Sequence, residues 1–165
     1  MFNNRTELCD NLVGYFNEER NMYEVQVPWL GRKVVFWLSS GDYDDDHEMD
    51  CLKKAFETVY NRRDDFLTMA KTNIREKLLP YIASHEPSDS FLPYPKVSVD
   101  DFDADYWLTD VYVLGDSCDM DEVQFNFNPE DDEERFSEIS ALISLHSGRI
   151  DYFVGYVLVN EDSIG

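Results

Sequence analysis

The stretch Lys33 to Leu38 limits the folds open to this chain more than any other. Val34, Val35, Phe36, Trp37 and Leu38 are apolar at every position. A strand built from them has no polar face to give to water, so it belongs in the interior of a sheet, with cover on it. Just before it, Met22, Tyr23, Val25 and Val27 are interleaved with Glu24 and Gln26, the two-residue period of a strand with one buried face. Pro28 is expected to end that strand, because proline cannot donate to a ladder. Trp29-Leu30-Gly31-Arg32 then reads as the hairpin connection. Leu12 to Phe16 is a short apolar run upstream, and Asn17 to Asn21 is polar and turn-like. Together these segments predict a three-stranded antiparallel meander.

From about His47 to Ala83 the period lengthens. Leu52, Ala55, Phe56, Val59 and Tyr60, then Phe66, Met69, Ala70, Ile74, Leu78 and Ile82, recur at three- and four-residue intervals, as an amphipathic helix requires. Asp44, Asp45 and Asp46 stand where carboxylates favour a helix start. The run is long for one globular helix, so a bend is expected near Asn61 to Asp65, and Pro80 distorts the last turn. Residues 84–95 form a connector with Pro87, Pro93 and Pro95. It is the one internal boundary in what otherwise reads as a single domain over residues 1–165. Beyond it, Ser98-Val99-Asp100-Asp101 resembles a capped helix start, with a short helix to about Asp105. Strands are expected over Trp107 to Leu114, Glu122 to Phe127, Ile139 to Leu145 and Ile150 to Val159, with an acidic loop at Asn128 to Glu134 and a turn at Ser147-Gly148. Strands, then helices, then strands predict an α+β fold: a mostly antiparallel sheet packed against a long, bent helical segment.

Charge narrows the function. The chain carries 35 acids against 14 bases, a net charge of −21, where a small domain carries a magnitude of about 2–8. Its 11 Phe, 10 Tyr and 3 Trp separate it from disordered acidic tails, which lack aromatics. A phosphate backbone would be repelled, and no basic stripe with interleaved aromatics offsets that, so direct nucleic-acid binding is excluded. A basic protein partner is favoured, since opposed potentials speed encounter and suppress wrong partners. The bases gather on the helical segment, at Lys53, Lys54, Arg62, Arg63, Lys71, Arg75 and Lys77, where Glu57, Asp64, Asp65 and Glu76 are in reach to pair with them. The acids cluster elsewhere, beside Tyr43, Phe102, Tyr106, Trp107, Phe125 and Phe127. The expected partner-binding set is Asp42, Tyr43, Asp44, Asp45, Asp46, Glu48, Asp100, Asp101, Asp103, Asp105, Asp119, Asp121 and Glu122, with charges steering and rings anchoring.

Catalytic signatures fail on inspection. A calcium loop starting at Asp42 would need Gly and Glu where His47 and Lys53 stand. His47, His85 and His146 have no nucleophile in context, and no G-x-S-x-G, H-E-x-x-H, P-loop or G-x-G-x-x-G occurs. Cys9, Cys51 and Cys118 form no CxxC pair, and their odd number predicts free thiols in a reducing compartment. The chain is thus expected to be a non-enzyme without metal or cofactor. With no apolar run near the roughly 18 residues of a membrane span and no apolar leader, it is expected in the cytoplasm.

The stretch Met22 to Val34, with its Trp-Leu-Gly-Arg-Lys-Val turn and strand, resembles an uncharacterised bacterial domain family in which a charged helix follows. Leu52 to Leu79 and the segment from Val99-Asp100-Asp101-Phe102 onward keep the same order. The family's late Gly-His pair falls near Gly115-Asp116, where this chain lacks the His. The family is similar to small acidic proteins encoded beside bacterial toxins. The resemblance therefore implies an immunity-protein or antitoxin role, an inhibitor of a basic partner such as a nuclease toxin. Two alternatives stand beside it. One is a DNA-mimic inhibitor of a nucleic-acid-binding enzyme such as a phage-defence nuclease. The other is a hydrolase using carboxylates with or without a metal.

Overall fold

The computed structural model describes residues 5–39, 46–84, 97–116, 119–129 and 137–164, with the backbone alone at 46–48, 115–116 and 119–121. Among the described residues nine strands form one sheet, and their order in space is their order in sequence. Strands β1 (Arg5–Glu7), β2 (Val13–Asn17), β3 (Met22–Trp29) and β4 (Arg32–Ser39) make one antiparallel meander. Strands β5 (Tyr106–Asp116), β6 (Asp119–Pro129), β7 (Ile139–Ser144), β8 (Ile150–Val154) and β9 (Val157–Val159) make a second. The meanders join at β4 and β5, which run parallel with Val35 opposite Asp110 and Leu38 opposite Val113. Parallel neighbours need a crossover rather than a tight turn. The helices supply it: α1 (Asp46–Asn61), α2 (Arg63–Asn73), α3 (Leu79–Ser84) and α4 (Val99–Asp105), with α5 (Glu161–Ile164) after β9. The fold is α+β with a mostly antiparallel sheet.

The expected long, bent helix is instead several pieces. α1 ends at Arg62, whose φ of −112° and ψ of 20° leave the helical region. The Arg62 N–H reaches back only three residues, to the Val59 carbonyl. Arg63 closes the end of α1 by donating from Nη1 to the Tyr60 carbonyl at 2.7 Å, with its guanidinium 4.1 Å from the Tyr60 ring centre. Between α2 and α3, Ile74–Leu78 is a π-turn. Pro80, two residues on, has no N–H to donate and crowds the carbonyl four residues back, and a widened turn relieves both demands. The expected pairing within this segment is absent: among the described residues no ion pair joins its bases to its own acids. Arg75 Nε reaches Asp103 Oδ1 of α4 at 3.2 Å, and Arg62 and Arg63 lie over aromatic rings.

Pro28 lies inside β3 rather than ending it, opposite Lys33. The connection is the two-residue turn Leu30-Gly31, with φ of 60° and 75°, the left-handed pair of a type I′ hairpin. Trp29 and Arg32 are then the hydrogen-bonded pair, so position 28 faces outward. β2 pairs with β3 only as far as Val25, and no donor is missed there. Asn128 and Pro129 extend β6 into the expected acidic loop, whose remaining residues 130–134 lie outside those described. The expected final strand over Ile150 to Val159 is broken at Gly155 (φ 61°), which turns β8 back on itself as β9.

Two rows of neighbours cross the sheet. On one face, Val25, Phe36, Val111, Phe125, Ala141, Tyr152 and Val159 stand side by side from β3 to β9, and all are buried. The helices lie on this face: Phe56 of α1 meets Phe36 edge-on at 5.7 Å, Phe66 of α2 meets Phe125 at 6.5 Å, and Phe102 of α4 meets Phe127 at 5.4 Å. Trp29 anchors the first hairpin to α2 by donating from Nε1 to Asp64 Oδ1 at 3.0 Å. One residue along, the opposite face carries Gln26, Val35, Asp110, Asn126, Ser140, Phe153 and Leu158.

Candidate binding surface

The expected partner-binding residues fall at two ends of the sheet. β4 and β5 run parallel, so the end of β4 at Ser39, the end of β5 at Asp116 and the start of β6 at Asp119 share one end, and α1 follows β4 from Asp46. α4, which feeds the start of β5, is at the other. About eight residues of β5 separate the two, roughly 25 Å at strand rise. At the first end, Asp42, Tyr43, Asp44 and Asp45 lie outside the described residues. Asp46 and Glu48 are in α1, and Asp119 and Asp121 are in β6. Glu122 is half-buried in β6 between Leu114 and Ser144.

At the second end the geometry is fuller. Ser98, extended at φ −76° and ψ 163°, caps α4 by accepting the Asp101 N–H on its hydroxyl at 3.1 Å. Phe102 fixes the helix to the sheet, packed on Tyr106 and Phe127. That leaves Asp100, Asp101, Asp103 and Asp105 exposed along about 10 Å of helix, Asp103 with its ion pair to Arg75. Asp100 and Asp101 in the first turn favour the helix dipole, whereas Asp105 at the far end opposes it, and no base stands in the last turn. Helix stability does not account for Asp105. Two residues on, Trp107 is 41% exposed, with the Arg32 guanidinium 4.4 Å above its ring. Of the other aromatics expected beside acids, Phe102, Phe125 and Phe127 are core residues and Tyr106 is half-buried, so Trp107 is the described ring available as an anchor.

Periodicity missed the polar network on the second face. Asp110 and Asn126 are buried, at 1% and 0% exposure, with Asn128 and Ser140 beside them. Thr109 Oγ1 donates to Asp110 Oδ1 at 3.0 Å, Gln124 Nε2 to Asn126 Oδ1 at 2.8 Å, and Asn128 Nδ2 to Thr109 Oγ1 and Glu138 Oε2 at 2.8 and 2.9 Å. Asn126 Nδ2 and Asn128 Oδ1 have no partner among the described residues. A β-bulge lies within this network, where the pairing slips between Leu108 and Asp110, and no pattern in the sequence marks it. Beside it, Trp37 and Tyr112 stack at 6.4 Å beneath Arg20, which donates to the Tyr112 hydroxyl at 2.8 Å.

Among the described residues no three His, Cys, Asp or Glu side chains gather to hold a metal ion. Cys9 is a free thiol, and burial pushes its pKa up, with Glu57 and Asp10 adding to the effect. A nucleophilic cysteine needs the opposite. Cys51 is disulfide-bonded, its partner lying outside the described residues. This corrects the expectation of three free thiols and removes the cysteine argument for a reducing compartment. Among the described residues no helix is long and apolar enough to cross a membrane. No protein-family model, curated protein or solved structure matches the chain.

Proposed function

We propose that this chain is an acidic binding protein that inhibits or neutralises a basic protein partner, in the manner of an immunity protein or antitoxin. The observation that carries the reading is the pairing of α4's four exposed carboxylates with the exposed ring of Trp107. Charge that steers and an aromatic that anchors are what a fast, specific interface uses. The net charge of −21 supplies the long-range part, and a nuclease toxin, whose active site must attract phosphate, is the partner class it suits.

The test is to isolate the partner from the native host at low salt and measure its association with purified variants. Reversing Asp100, Asp101, Asp103 and Asp105 to Lys is expected to slow association by about tenfold or more, and added salt should do the same to the unaltered chain. Trp107→Ala is expected to speed dissociation. A partner that is not basic, or one indifferent to both changes, would overturn the proposal. A cytoplasmic location belongs to this reading, and the Cys51 disulfide opposes it. Thiol labelling of protein taken directly from the native host decides: three reactive thiols under denaturing conditions support the cytoplasm, and one supports an oxidising compartment.

A further inference from the structure

The helices that cover the sheet leave a gap over β8, and a cleft of about 500 Å³ opens there, within the range of about 300–1,000 Å³ usual for ligand sites. Glu76 and Lys77 of the π-turn, with Pro80 and Tyr81 of α3, form one wall. Glu161 and Ile164 of α5 form the other, and Tyr152 of β8 lies at the base.

Tyr152 sets this cleft apart from an ordinary surface groove. Tyr152 is 0% exposed and its hydroxyl has no hydrogen-bond partner among the described residues, although a buried phenol almost always finds one. The surroundings specify what would satisfy it. Two acidic residues, Glu76 and Glu161, and one basic residue, Lys77, line the cleft. Glu161 is held in place: its Oε2 accepts the Ile150 N–H at 3.1 Å, and its own N–H donates to Asp151 Oδ1 at 2.8 Å. Burial raises the Tyr152 pKa to about 12, with Glu161 and then Asp151 adding to it. An anion would meet these carboxylates; a cation is drawn in.

We propose that the cleft receives an arginine side chain of the basic protein partner, its guanidinium donating to the Tyr152 hydroxyl oxygen and to the carboxylates of Glu161 and Glu76. The methylene stem lies against Pro80, Tyr81 and Ile164, as long basic side chains do when only the head is polar. Arginine suits the site better than lysine. Its charge is spread and weakly hydrated and its plane stacks on tyrosine, whereas a compact ammonium would stand close to Lys77. This inference rests on the reading of the chain as a binder of a basic partner, but its test needs no partner.

The probe is Nα-acetyl-arginine methylamide, titrated into the full chain and followed by heteronuclear NMR. Saturable shifts at Tyr81, Tyr152 and Ile164 are expected in the millimolar range of a single side chain, with the uncharged citrulline analogue weaker by about tenfold or more. Glu161→Gln keeps an oxygen for the Ile150 N–H and removes the charge; Tyr152→Phe removes only the hydroxyl. Each is expected to weaken binding by about fivefold or more, and Tyr152→Phe to do so without lowering folding stability. No saturable shift, equal binding of citrulline, or indifference to both variants would overturn the proposal. Failure here alongside α4-dependent partner binding removes the cleft and leaves the binding reading. Arginine in the cleft alongside a partner indifferent to α4 removes the surface assignment and leaves the cleft.

Discussion

Phe125 and Asn126 are adjacent in β6, equally buried, and opposite in kind. Phe125 belongs to the row that runs from Val25 to Val159 beneath the helices, which is apolar except at the Tyr152 hydroxyl, and where fit sets most of the energy. Asn126 belongs to the row from Gln26 to Leu158, whose centre is Asp110, Asn126 and Ser140, held by directed hydrogen bonds. The sheet thus has two cores built on different physics. A side chain on the first face can shift slightly and keep most of its stabilisation, whereas one on the second loses a hydrogen bond outright if its geometry slips. The first face stabilises the fold, and the second pins the register of β5, β6 and β7 around the bulge at Thr109.

The largest effect expected from breaking this contrast is on the apolar side. Phe125→Ala removes a ring that meets Phe66 of α2 and should cost about 3–5 kcal/mol, read as a large drop in the urea midpoint. Asn128→Ala on the polar side removes the donations to Thr109 and Glu138 and should cost about 1–3 kcal/mol. Hydrogen exchange should then show faster opening of β6 and β7, with α1 left protected. If Asn128→Ala cost as much as Phe125→Ala, the two faces would not differ in the way described.

The apolar face was legible in the sequence because its alternation is local. Tyr23, Val25 and Val27, or Val123, Phe125 and Phe127, declare a buried side within a few residues. The polar face was not legible, because Asp110 and Asn126 look like ordinary solvent-facing positions. Only the assembly of β5 with β6 and with β4, the latter distant in sequence, places them in the middle of the sheet. The same limit applies to the sites. The cap at Ser98 and the exposed acids of α4 could be read because a helix end is a local event. The cleft could not: Glu76 and Lys77 read as solvated helix charges, and Glu161 follows a segment expected to be one continuous strand. The turn at Gly155 and the π-turn before Pro80 bring them together. Trp107 was singled out alongside five other aromatics, and only tertiary packing separated it from the core rings among them.

A smaller effect probes the edge of the polar face. Arg20 covers the Trp37 ring at 4.4 Å and donates to the Tyr112 hydroxyl. Arg20→Ala should cost about 0.5–1 kcal/mol and shift tryptophan emission to the red as water reaches Trp37. An unchanged emission spectrum would mean that the stack is sealed without the guanidinium.

The smallest effect at neutral pH belongs to Tyr152, the polar exception in the apolar row. Its hydroxyl is buried without a partner among the described residues, so Tyr152→Phe deletes a desolvated group and no hydrogen bond. Stability should hold or rise, by no more than about 1 kcal/mol. The two proteins should part in alkali. Burial, then Glu161 and Asp151, raise the phenol from 10.0 to about 12, so between those values the folded chain keeps a proton that the unfolded chain has lost. Stability therefore falls as pH rises through that window, because the folded state binds the extra proton. The unaltered chain should lose stability more steeply there than Tyr152→Phe. Tyr60, also raised through its donation to Asp10, contributes equally to both proteins and drops out of the difference. Parallel alkaline slopes in urea titrations of the two would show that Tyr152 is solvated after all, and that the apolar row is interrupted at β8.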